Sequence, residues 1–135
     1  MKRPATVIVM LLLSACATGV GRMPGATALE RYQLYLGTPI QSFTSFSFDG
    51  WEAVGRNQLV VWTQINDAYL ITVWDSCQDL NFAHRIGIKS TGNTVSRLDS
   101  IRIGHDRCPI QEIRPIDVKR YKADRAAVRL LTPPG

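Results

Sequence analysis

A chain of 135 residues, 45% of them apolar and 20% charged, can bury one core of ordinary size and is too short for two. Sixteen cations against eleven carboxylates leave a net charge of +5, too thin a surplus for a nucleic-acid partner. Three cysteines and two histidines lack zinc-finger spacing, and there is no phosphate-cradling glycine loop, heptad pattern or low-complexity tract, so neither a metal nor a cofactor is expected.

The chain opens Met1-Lys2-Arg3, continues through the apolar run Val7 to Leu13, and reaches the small residues Ser14 and Ala15 before Cys16. Two cations, a short apolar stretch and small residues form an export signal. The run falls far short of the ~20 apolar residues of a membrane-spanning helix. Leu13-Ser14-Ala15-Cys16 resembles the lipobox of bacterial lipoproteins. The resemblance implies a diacylglyceryl group on Cys16, cleavage before it, and a mature chain of residues 16–135. Ala17 is not the acidic residue that retains such proteins at the inner membrane, so the resemblance points to the outer membrane, facing the periplasm. Residues 1–15 are thus expected as signal, 16–26 ("CATGVGRMPGA") as a flexible tether, 27–118 as the domain and 119–135 as a basic terminal segment.

With Cys16 lipidated, Cys77 and Cys108 remain, and two cysteines in an oxidising compartment point to one disulfide. The competing reading is a nucleophilic cysteine beside a histidine, since His84 follows Cys77 and His105 precedes Cys108.

Thr27-Ala28-Leu29-Glu30 has the capping-box pattern, and Leu29, Tyr32 and Leu36 follow at helical spacing before Gly37 and Pro39. A short helix over about 28–36 is expected. From Phe43 onward the signals are β. In "LVVWTQINDAYLITVW" a two-residue turn at Asn66-Asp67 would pair Val61 with Thr72 and Leu59 with Trp74. That register gathers Val60, Trp62, Tyr69, Ile71 and Val73 on the core face, and a one-residue slip would exchange the faces. "HRIGIKS" and "TVSRLDSIRI" read as strands around Thr91-Gly92-Asn93-Thr94, with a bulge or break near Leu98 where alternation fails. "CPIQEIRPID" reads as a short last strand. The end, with Lys119, Arg120, Lys122, Arg125 and Arg129 against Asp124, reads as a short helix or a frayed tail. No long helices alternate with the strands. The expected fold is α+β and mainly β: an antiparallel sheet or small barrel with a short N-terminal helix and one disulfide.

"YLITVWDSCQDL", "RIGIKSTGNTVSRLDSIRI" and "CPIQEIRPID" together resemble a family of small proteobacterial lipoproteins of uncharacterised function, over about residues 30–118. The resemblance supports the disulfide, implies no activity, and leaves out the basic end.

Chemistry is sparse. If Ile86 faces Ile103 across an antiparallel pair, His84 and His105 fall opposite each other with Asp106 adjacent, a conceivable metal or acid–base site. A single turn at Gly92-Asn93 gives a different pairing. The aspartates are scattered, Ser45 and Ser47 have no nucleophile-elbow context, and Trp51, Trp62 and Trp74 are more simply core than a sugar cleft. The basic end is the best contact for anionic lipid, polysaccharide or an acidic protein. The expectation is a non-enzymatic, lipid-anchored envelope protein that binds a protein or envelope component. The alternative is a small periplasmic hydrolase or metal-dependent enzyme using His84, His105 and nearby aspartates.

Overall fold

The structure, a computed structural model, describes residues 26–75 and 77–131. The expected export signal and Cys16 lie outside the described residues, as does the expected tether apart from its last residue, Ala26, which opens the first helix. Helix α1 (Ala26–Gln33) leads into eight strands: β1 (Ser42–Thr44), β2 (Gly50–Gly55), β3 (Gln58–Gln64), β4 (Asp67–Val73), β5 (Ile86–Lys89), β6 (Thr94–Ser96), β7 (Ser100–Ile103) and β8 (Asp106–Ile116). A 3₁₀ turn at Gln78–Phe82 separates β4 from β5, and helix α2 (Val118–Leu131) closes the chain.

Six strands form one curled antiparallel sheet in the order β2-β3-β4-β8-β7-β5, and β1 pairs with β6 in a separate ribbon. The curl brings the sheet's ends near each other: Gly50 and Trp51 of β2 line one slot with Ile86 and Ile88 of β5, without a ladder between them. The fold class is therefore the mainly β antiparallel sheet with a short N-terminal helix. Cys77 and Cys108 are joined, with Cα atoms 5.7 Å apart, and both are buried. Neither sulfur is available as a nucleophile in this bonded state.

The β3–β4 hairpin departs from the expected register. Its loop is Ile65-Asn66, Leu59 faces Ile71, Val61 faces Tyr69 and Trp62 faces Ala68, with a bulge before Gln64. The pairing is offset by three residues, an odd number, so the faces of β3 exchange. Leu59 and Val61 join Ile71, Val73 and Tyr69, while Val60 and Trp62 join Leu70 and Ala68 on the other side. The physical reason is that both faces are covered, so alternation carries little register information. The bulge accommodates Thr63, which is buried and donates its hydroxyl to the Asp67 carbonyl at 3.4 Å.

Two cores result. The larger is aliphatic and surrounds the disulfide: Leu59, Val61, Ile71, Val73, Leu80, Ile101 and Ile113 are its most buried members, and Phe43 stacks on Tyr69 at its rim. The smaller lies on the opposite face, where Val54, Val60, Leu70 and Ile116 meet Tyr32 of α1 and Val118 and Tyr121 of α2.

The last strand is long, not short. β8 runs eleven residues in the middle of the sheet, between β4 and β7. Pro115 is tolerated there because its carbonyl accepts from the Gly37 amide at 2.8 Å, on the side away from β4. A strand residue's N and O point the same way, so the proline nitrogen removes no bond from the β4 ladder. Gly37 is needed for this approach, since a Cβ there would come within 2.9 Å of the Pro115 ring. The break near Leu98 is present: β6 stops at Ser96, β7 starts at Ser100, and Leu98 is 98% exposed.

Candidate functional site

As far as Leu131, where the described residues end, the basic C-terminal segment forms α2, a fourteen-residue helix. Asp117 caps it, accepting from the Arg120 amide at 3.1 Å. The first turn is anchored in the smaller core by Val118 and Tyr121, whereas every residue from Lys122 to Leu131 is exposed. Helical spacing places Lys122, Arg125 and Arg129 on the flank facing the sheet, and Lys119 and Arg120 elsewhere on the surface.

These five cations are held differently. Lys122 donates to the Ile65 carbonyl and, at 3.2 Å, to Asn66 Oδ1, tying α2 to the β3–β4 turn. Arg125 donates to the Tyr121 hydroxyl at 2.7 Å and lies over that ring. Arg120 lies over the Tyr35 ring, and Tyr35 donates its hydroxyl to Asp124 Oδ2 at 2.8 Å. Among the described residues, Lys119 and Arg129 have no hydrogen-bonded or ion-pair partner.

Between α2, α1 and the β2–β3 ribbon lies an open recess of about 460 Å³. Arg31, Glu52, Trp62, Lys122, Arg125 and Arg129 line it, with Tyr32 and Tyr121 at its floor. Glu52 is on β2 opposite Val60, so its side chain shares the face that α1 covers. Both carboxylate oxygens are engaged: Oε1 accepts from the Tyr32 hydroxyl and Oε2 from Arg31 at 3.2 Å. Burial, then the Glu52 charge and hydrogen bond, push the Tyr32 phenol well above its ordinary pKa, so it stays protonated as a donor. Tyr32 and Tyr121 pack with ring centroids 5.0 Å apart, which fixes the distance between the helices.

A second hollow, about 840 Å³ and wide open, sits at the far end of the sheet. Its geometry comes from the β5–β7 pairing, which does set Ile86 opposite Ile103. Gly104-His105 forms the two-residue turn between β7 and β8, with Gly104 at φ +58°. His84, His105, Asp79 and Asp106 therefore line one hollow together with Arg85 and Arg102. Both histidines are solvent-exposed. Among the described residues, no group of three or more His, Cys, Asp or Glu side chains stands close enough to hold a metal ion.

The tryptophans do not form a cleft. Trp51 pairs with Val61 and Trp62 with Gly50, so the two rings take opposite faces of the sheet, and Trp74 is exposed beyond the end of β4. Sequence reasoning missed Tyr32, Tyr35, Tyr121 and Glu52 as a cluster. In the sequence Tyr32 reads only as part of an apolar stripe, because nothing local signals that β2, α1 and α2 converge.

A family model described as "Family of unknown function (DUF6491)" matches residues 1–131. The chain belongs to that family. The match takes in both the N-terminal segment and α2, so the family pattern extends beyond the 30–118 span that the quoted motifs cover. No curated protein and no solved structure matches the chain. No described helix is long and apolar enough to cross a membrane.

Proposed function

We propose that this DUF6491 protein is a lipid-anchored, non-enzymatic component of the cell envelope. Acylated Cys16 holds it at the periplasmic face of the outer membrane, and α2 docks on an anionic envelope component. The observation that carries this reading is segregation of charge. α2 has five cations against Asp124, a surplus of four, whereas residues 16–117 hold nine cations against ten carboxylates. A domain otherwise close to neutral presents one strongly positive, solvent-exposed helix, and such a field draws anionic partners and orients their approach. Acyl chains at Cys16 would confine that helix to a thin layer beside the membrane and raise its effective concentration toward partners there.

Labelling cells with radioactive palmitate and fractionating them tests the anchor. Wild-type protein should carry label and sediment with membranes, and Cys16→Ala should lose both properties. Persistent label on Cys16→Ala would overturn the anchor. The docking surface is best tested by point substitutions, because ending the chain at Asp117 also removes Val118 and Tyr121 from the smaller core.

A second reading is supported by the Ile86–Ile103 register, which gathers His84, His105 and two aspartates in one hollow. There the two imidazoles would shuttle protons in an acid–base reaction of a small hydrolase. Replacing both histidines by alanine abolishes function on that reading and leaves it unchanged on the first.

A further inference from the structure

We propose that the recess between α2, α1 and the β2–β3 ribbon is a binding site for a phosphate monoester. This inference rests on the reading of α2 as the docking element and names the chemistry that it recognises.

Charge balance inside the recess comes first. Among the described residues, the single carboxylate that lines it, Glu52, is already engaged by Arg31 and by the Tyr32 hydroxyl. Asp124, the only acid on α2, is held by Tyr35 outside the recess. Lys122, Arg125 and Arg129 therefore face the same space with no carboxylate of their own among the described residues. They stand at i, i+3 and i+7 on one helix face, so neighbouring pairs are like charges at contact spacing, which is destabilising in an isolated helix. A local rule broken in this way, on a face where the rest of the fold is consistent, marks a place where function overrides stability. A bound dianion converts the repulsion into attraction.

Three cations lining one space favour a dianion such as a phosphate monoester over a singly charged anion. Two of the three cations are guanidinium forks, whose paired N–H donors match the oxygens of a phosphate. Arg125 is oriented by its bond to Tyr121 and by its place over that ring, and keeps further N–H groups unused by that bond. Lys122 adds a point charge fixed beside the β3–β4 turn. Trp62 supplies a half-buried aromatic wall for whatever carries the phosphate. The volume of about 460 Å³ lies within the range of small-ligand sites. The same chemistry occurs on a soluble sugar phosphate and on a membrane headgroup, so the test carries both.

Mature acylated protein in a neutral detergent would be titrated by calorimetry with N-acetylglucosamine 1-phosphate and with unphosphorylated N-acetylglucosamine. In parallel, it would be titrated with micelles doped with phosphatidic acid, a monoester, or phosphatidylglycerol, a diester. The expected result is saturable binding to at least one monoester, at least tenfold tighter than to its phosphate-free or diester counterpart. The responding arm identifies the source. Arg129→Gln, which loses no hydrogen bond or ion pair among the described residues, should weaken that binding about tenfold, and Lys119→Gln, outside the recess, should leave it unchanged. Absence of monoester preference in both arms, or equal weakening by the two substitutions, would overturn the site. Equal weakening would still leave α2 as a diffuse electrostatic contact, and the anchor is decided separately by palmitate labelling.

Discussion

The two faces of the central strands are built from different materials. On one side β3, β4 and β8 bury an aliphatic core around the Cys77–Cys108 bond, with few polar groups near it. On the other they meet two helices through tyrosines whose hydroxyls reach Glu52, Asp124 and Arg125 at the surface. The aliphatic face supplies burial and a covalent constraint. The tyrosine face supplies less burial, but it fixes charged groups in definite positions. That difference suggests a division of labour in which one side holds the fold and the other presents chemistry to solvent.

Removing the constraint on the aliphatic side gives the largest effect. Replacing Cys77 and Cys108 by serine reopens a loop of 31 residues and should cost about 3–4 kcal/mol, read as a lower urea midpoint. An unchanged midpoint would mean that the larger core does not depend on its staple.

The tyrosine side should show itself in alkali. The folded-state pKa of Tyr32 is raised, chiefly by burial and then by Glu52. The unfolded chain therefore releases this proton first, near pH 10, while the folded chain keeps it. The stabilisation is complete below pH 10 and falls above it, by at most about 1.4 kcal/mol per pH unit from this group. Tyr69, raised by burial and by Asp67, acts in the same direction. Tyr32→Phe should flatten the stability profile above pH 10, and an equally steep profile in the variant would contradict the Tyr32–Glu52 assignment.

The smallest effect belongs to the hollow at the β5–β7 end. Both histidines are exposed, so His84→Ala with His105→Ala should shift stability by no more than about 0.5 kcal/mol. A larger loss would show that this end of the sheet depends on them.

The sequence made some of this visible for identifiable reasons. The stop near Leu98 could be read because alternation fails there, and the helix near Leu29 and Tyr32 because its stripe has a helical period. The β3–β4 register could not, since Leu59, Val60, Val61 and Trp62 are apolar on both faces and a three-residue offset satisfies burial as well. The length of β8 was hidden by Pro109 and Pro115, which look like breakers until the Gly37 contact shows where the Pro115 nitrogen points. α2 could not be told from a frayed tail, since its outer ten residues have no buried stripe to announce a helix. The Tyr32–Glu52–Tyr121 cluster is assembled from residues 20 to 89 positions apart, and no local pattern reports such a meeting.

The central claim is that anionic ligands meet this protein at α2 and not at the histidine hollow. Amide chemical-shift mapping of the protein during titration with N-acetylglucosamine 1-phosphate and, separately, with micelles containing phosphatidic acid addresses it directly, read from the monoester that binds. The account predicts shifts clustered at Arg31, Glu52, Trp62, Tyr121 and Arg125 through Arg129. Shifts confined to residues 79–87 and 102–106 would contradict it.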